Sequence, residues 1–176
     1  EKQGDAQRRN LLARRIRPFI LRRKKEEVAR ELPPKTIIVR KVELAGSQRD
    51  LYETIRAAMD AMVREEVASK GFGRSQIVIL DALLKLRQVC CDPRLVKAAS
   101  AQRVTERAKL DLLMTMLPEQ VDEGRRILLF SQFTSMLSLI ETELKQAGLD
   151  YVILTGDTSD RETPVRRFQS GEVPIF

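Results

Sequence analysis

The 176-residue chain contains no histidine and no tryptophan. Without imidazole there is no histidine general base, no Ser-His nucleophile pair and no histidine-bearing metal site. The only two cysteines, Cys90 and Cys91, are adjacent. Neighbours on a helix point about 100° apart and rarely close a disulfide, so two isolated thiols suit a reducing compartment. No apolar run approaches the ~18 residues a membrane span needs, and the polar first residues lack a signal-peptide core. Nucleotide and nucleophile signatures are missing too: there is no GxxxxGK[ST], no GxGxxG and no GxSxG. No acidic pair follows an apolar run in the way a Mg²⁺-binding Asp-Glu would. By this reading the chain alone hydrolyses nothing.

What is present is positive charge, and it is unevenly placed. The net charge is +7. Residues 1–35 hold 12 Lys and Arg against 5 acids, and the remainder holds 20 of each. All of the excess therefore lies in one N-terminal arm. There Leu11, Leu12, Ile16, Phe19 and Ile20 form an apolar stripe between arginines, with Pro18 dividing a helix and residues 24–32 fitting a second short one. Such an arm reads either as a solvated helical face around one seam or as an electrostatic footprint for a phosphate backbone.

Residues 36–44, TIIVRKVEL, alternate and are β-branched, which predicts a strand. Helical spacing then runs from Ser47 to about Ser69, through Leu51, Ile55, Met59 and Val63. The glycines of KGFGRS (70–75) break it and mark a turn or mobile hinge. Gln76–Cys91 is apolar on most sides and predicts a central packed helix, which Asp92-Pro93 stops. The small, polar residues 97–107 read as a linker, and residues 108–121 as a further helix.

From residue 126 onward the pattern changes. Apolar runs at 127–130, 151–154 and 173–176 alternate with amphipathic helices, the first ending at Gly148. Strand, helix, strand, helix, strand predicts a parallel sheet with crossover helices. Ligands of open α/β sheets bind in the turns after the strands. Those turns carry Ser131, Gln132 and Thr134 after the first run, and Thr155, Gly156, Asp157, Thr158 and Ser159 after the second. Hydroxyls, a carboxamide and free N–H groups can donate to phosphate, and Gly156 has no side chain to hold a nucleic-acid backbone away. The same residues also suit ordinary turns and caps, with 157–159 available to cap the following helix.

At this point the sequence resembles a family. FSQF (130–133) is similar to motif IV of the Snf2-type helicase-like ATPases, superfamily 2 DNA translocases, and LTGDTS (154–159) to their next turn. The spacing of Arg161, Val165 and Phe168 resembles the helix that follows. Upstream, RPFILRRKKEEVARELPPK (17–35), VELAGSQRDLYE (42–53) and LLKLRQVCCDP (83–93) resemble three further signatures in the family's order. The family commonly has His where Asp92 stands, and the cysteine pair resembles bacterial members.

The resemblance implies an α/β fold: an incomplete RecA-like parallel sheet with crossover helices, preceded by a mainly helical region with one strand. It divides the chain into a basic helical arm linking two lobes (1–35), an edge strand plus helical insertion (36–105), and the first part of the helicase C-terminal domain (106–176). It implies a piece of a longer, DNA-stimulated ATPase that uses ATP and Mg²⁺, neither of them bound by this piece. Double-stranded DNA is the implied partner, gripped through its phosphates by Ser131, Gln132, Thr155, Gly156 and Thr158. A bacterial, cytoplasmic, nucleoid-associated monomer is expected, with no membrane partner. The alternative is a helical protein-interaction module whose basic arm docks on an acidic or DNA-bound partner such as RNA polymerase.

Overall fold

Seven α-helices organise the described residues of the computed structural model, which are 6–29 and 31–176. Residues 1–5 and Arg30, which the basic-arm reading includes, lie outside the described residues. The chain divides into two units, Glu1–Arg40 and Lys41–Phe176.

In the first unit, α1 (Ala6–Ile16) ends with Arg14 and Arg15 in its last turn, where cations complement the helix dipole. Pro18, which has no N–H to donate, sits in a single 3-10 turn at Arg17–Phe19. Only one turn of helix, α2 (Lys25–Val28), forms within the stretch predicted for 24–32. No residue of α1 is buried, and Phe19 is 88% exposed.

The second unit begins with α3 (Gly46–Lys70) and α4 (Gln76–Cys91), joined by a 3-10 turn at Phe72–Arg74. The joint, read as a turn or mobile loop and a hinge candidate, is a turn, and it is tied down. Gly71 takes φ +75°, which glycine adopts without strain. Ser75 is fully buried, and its hydroxyl reaches the carbonyls of Gly71 (2.8 Å) and Glu66 (3.2 Å). The supposed linker at 97–107 is likewise folded. It contains a 3-10 turn, Ala101–Arg103, with Ala101 fully buried against Leu51 and Val89. The Gln102 side chain donates to the carbonyls of Arg94 and Val96. Next come α5 (Ala108–Asp122), α6 (Thr134–Gln146) and α7 (Glu162–Gln169). The main core gathers Leu110 and Leu117 of α5, Met136, Ile140 and Leu144 of α6, and Ile175.

The α/β expectation is overturned. Helix takes 61% of the described residues, which form no strand and no sheet, so this is not a RecA-like parallel sheet. The three C-terminal apolar runs meet only at two isolated parallel bridges, Ile127 to Ile175 and Tyr151 to Ile175. Backbone N–H groups of Ile127 and Leu129 donate to Pro174 and Phe176, and that of Val152 to Ile175. A ladder needs repeated partners on each side, and contact here is confined to the last few residues. The run at 127–130 is accordingly covered on one face only, leaving Phe130 87% exposed. Residues 36–44 form no strand either. Ile37, Ile38 and Val39 are exposed, and among the described residues no bridge or backbone hydrogen bond pairs them with another segment.

Expectation also fails for α4, whose apolar residues were expected to be packed on most sides. Ala82 and Val89 are buried, but Ile77, Leu80, Leu83 and Leu84 remain exposed because the neighbouring helices cover only part of its circumference.

Candidate nucleic-acid interface

The two predicted loops leave the body from a shared origin. Ile127 and Tyr151 bridge the same residue, Ile175, in the same parallel sense. Ser131 and Thr155 each follow their bridge by four residues. Phe130 and Leu154, the residues just before the loops, line one cavity of about 160 Å³ together with Ile175 and Phe176. The structure thus brings the 131 and 155 loops to one end of the unit.

Within the first loop the Ser131 hydroxyl accepts the Phe133 N–H and donates to the Phe133 carbonyl, both at 3.2 Å. Gln132 is exposed, and its carboxamide oxygen accepts a hydrogen bond from Nη2 of Arg87 on α4. Within the second loop the Thr155 N–H donates to Thr158 Oγ1 (2.8 Å), and the two threonine hydroxyls lie 3.4 Å apart. Gly156 is exposed, and a Cβ built on it would meet nothing within 4 Å. No packing contact in this chain demands glycine there. The cap expected from 157–159 belongs instead to Asp160, whose Oδ1 accepts the N–H groups of Glu162 and Thr163 at 3.1 Å. The Thr163 hydroxyl and these N–H groups hold the Asp160 carboxyl below its ordinary range.

Several polar residues escaped the sequence reading. Arg87 and Lys109 line a cleft of about 1000 Å³ between α4 and residues 130–133, along with Asp81, Cys90, Ser131 and Gln132. Burial pushes the Cys90 thiol up, while the nearby Lys109 ammonium opposes that rise. Asp92, where the family resemblance leads one to expect His, is fully buried. Its carboxylate accepts the Arg94 backbone N–H (2.9 Å) and the Arg94 Nε and Nη2 (2.8 Å each), so it caps the turn at Pro93–Leu95 and forms a forked ion pair.

Gln48 is fully buried, with Nε2 donating to the Val89 carbonyl (2.9 Å) and Oε1 accepting the Ala108 N–H (3.0 Å). One side chain thereby satisfies a carbonyl in the last turn of α4 and an N–H in the first turn of α5, both of which lack helical partners. A glutamine in the first turn of a helix carries no sequence signal of such burial.

Among the described residues, no three His, Cys, Asp or Glu side chains gather in a way that could hold a metal ion. The two loops offer donors and no acidic pair, so their residues do not fit Mg²⁺, while N–H and hydroxyl groups of this kind suit phosphate oxygens. Their chemistry suits an anion approached from outside.

Comparison with known proteins identifies the family. A family model described as SNF2-related domain matches residues 1–95. A probable chromatin-remodeling complex ATPase chain of Oryza sativa subsp. japonica is 30% identical over 163 residues, covering 87% of this chain and 14% of the relative. An uncharacterized ATP-dependent helicase of Mycoplasma pneumoniae is 30% identical over 177 residues, covering 99% of this chain and 16% of that protein. The CHD3-type chromatin-remodeling factor PICKLE of Arabidopsis thaliana is 27% identical over 165 residues, with 88% of this chain and 12% of the relative covered. The chain thus spans roughly a seventh of the length of these relatives. With the family model spanning more than half of its residues, the chain belongs to the SNF2-related family, that of the Snf2-type helicase-like ATPases.

Proposed function

We propose that this chain is part of an ATP-dependent translocase acting on double-stranded DNA, and that it contributes backbone contacts from the loops at 131 and 155. The observation that carries the reading is the common origin of those loops, each four residues past a bridge to Ile175. Ser131, Gln132, Thr155, Gly156 and Thr158 then face one polyanion together. Hydroxyl, carboxamide and N–H donors of this kind position a protein on phosphates without reading sequence. The turn bonds at Ser131 and Thr158 are local, and to meet a phosphate the Ser131 hydroxyl turns its one proton from the Phe133 carbonyl to the anion.

ATP use belongs in this reading to the full-length protein, as the names of the relatives suggest, and no step of it runs through these residues. Residues 1–35 serve as a basic connecting arm, and residues 36–105 and 106–176 flank the DNA. The setting is the DNA-rich cytoplasm of a bacterial cell.

The test is the double change Ser131→Ala with Thr155→Ala in the full-length protein. One lost hydrogen bond to a charged group is worth roughly 1.5–3 kcal/mol. The ratio of DNA-stimulated to DNA-free ATP hydrolysis is expected to fall at least about tenfold. An unchanged ratio removes the contact assignment.

A second reading is favoured by the first unit, where exposed Leu11, Leu12 and Phe19 lie among arginines. A helical interaction module that docks on an acidic protein would account for them. It requires duplex binding to respond little to salt, whereas several phosphate contacts require a steep response.

A further inference from the structure

We propose that Arg87 and Lys109 complete a site for one DNA phosphate with Gln132, at the mouth of the cleft between α4 and the 131 loop. The inference rests on the DNA-contact reading above and adds cations to it that no motif points out.

Guanidinium chemistry orients the site. Arginine has donors and no acceptor, so its Nη2 must face the oxygen of the Gln132 carboxamide. The Gln132 NH₂ group is left to donate elsewhere, and no acceptor for it exists among the described residues. A glutamine free in solution presents oxygen or nitrogen with equal ease. Fixed by Arg87, this one presents a donor, as an anion requires. The guanidinium spends one N–H on this contact and keeps others for a second partner.

Charge points the same way. Arg87, Lys109 and Gln132 are all exposed and line the same cleft. Among the described residues, no carboxylate pairs with Arg87 or Lys109. Asp81, the acid in the cleft lining, pairs with Lys85 at 2.8 Å. Ile77, Leu80 and Leu84 line the same cleft, so its wall beside the two cations is largely apolar. Ser131, adjacent in the chain, lines the same space. A tetrahedral phosphate offers the acceptors that two cations and an amide N–H can share.

The experiment measures binding of the full-length protein to a 20-base-pair duplex of arbitrary sequence as salt is raised. Each phosphate neutralised contributes about 0.9 to the slope of log K against log salt. Because the two cations share one phosphate, Arg87→Ala with Lys109→Ala is expected to reduce the slope by about 0.9 in all and each single change by part of that, with thermal melting checked for every variant. Gln132→Ala should weaken binding in the wild-type background and add little on top of Arg87→Ala, because the two residues act on the same phosphate. Among the described residues Lys109 makes no hydrogen bond to another element, so its variant keeps the test decisive if Arg87→Ala melts early. A steep wild-type slope that both alanine variants leave intact overturns this inference while the loop contacts stand. A flat wild-type slope overturns the DNA reading itself, and this site with it.

Discussion

Residues 37–39 and residues 173–175 have similar composition and opposite fates. Ile37, Ile38 and Val39 are 71–75% exposed, whereas Val173 and Ile175 are 2% exposed. Both stretches are short, apolar and rich in β-branched side chains. Ile175 has Ile127 on one side and Tyr151 on the other, and it rests on the helical core made by Leu110, Leu117, Ile140 and Leu144. Among the described residues, no bridge or backbone hydrogen bond joins 37–39 to another segment. β-Propensity measures fit to a half-buried surface rather than a preference of the backbone alone. A run without that surface stays open, whatever its composition.

The largest expected effect tests this contrast directly. Ile175→Ala removes three carbons from a filled core and is expected to cost about 2–5 kcal/mol. Ile38→Ala, on an exposed run, should stay within about 0.5 kcal/mol. Urea denaturation of both variants measures the difference. Equal losses would break the comparison and mean that residues 37–39 are covered in solution.

The same contrast explains what could be read without coordinates. Helix limits could, because punctuation is local: Gly71 and Ser75 separate α3 from α4, Asp92-Pro93 ends α4, and Gly148 at φ +67° follows α6. Ser131 and Thr155 could be grouped because parallel runs end on the same side. Illegible were the facts that depend on a distant partner. The strand at 36–44 needed a pairing partner, and among the described residues none pairs with it. The packed linker needed Ala101 to meet Leu51 and Val89, and the cationic cleft needed Arg87 to meet Gln132, 45 residues away. Sheet formation failed as an expectation for the same reason, since three apolar runs touching at single bridges are not a ladder.

A smaller effect sharpens the comparison by replacing apolar cover with a polar tie. Gln48→Leu leaves the Val89 carbonyl and the Ala108 N–H in the interior without their present partner. Unsatisfied buried groups cost about 1–3 kcal/mol each, and the added apolar contact recovers part of that. We expect a net loss of about 2 kcal/mol in urea denaturation. A neutral result would mean that water reaches the ends of α4 and α5, so that the junction is less closed than the covered end of the chain at Ile175.

The smallest effect lies where the open stretch gives way to the packed body. Residues 36–44 lead into α3, whose N-cap residue, Ala45, makes no side-chain cap of its own. Glu106 supplies one from the folded segment before α5. Its Oε1 accepts the Ser47 N–H at 3.2 Å, its Oε2 accepts the Ser47 hydroxyl, and its carboxylate lies against Gly46, which takes φ +52°. The Ser47 hydroxyl, with backbone N–H groups, pulls the Glu106 carboxyl down to about 2 from an ordinary 4.5. A depressed carboxyl pKa means that folding favours the ionised form. The stabilisation is therefore complete above about pH 4.5 and is lost as pH falls toward 2. Glu106→Gln keeps the shape but removes the charge that complements the start of α3. Thermal melts across this window should show the wild-type curve falling more steeply with acid than that of Glu106→Gln, the two converging at the acid end. Parallel curves would mean that Glu106 does not hold α3, and that the boundary between exposed and packed chain is set by Gln48 and the apolar contacts of Leu51 alone.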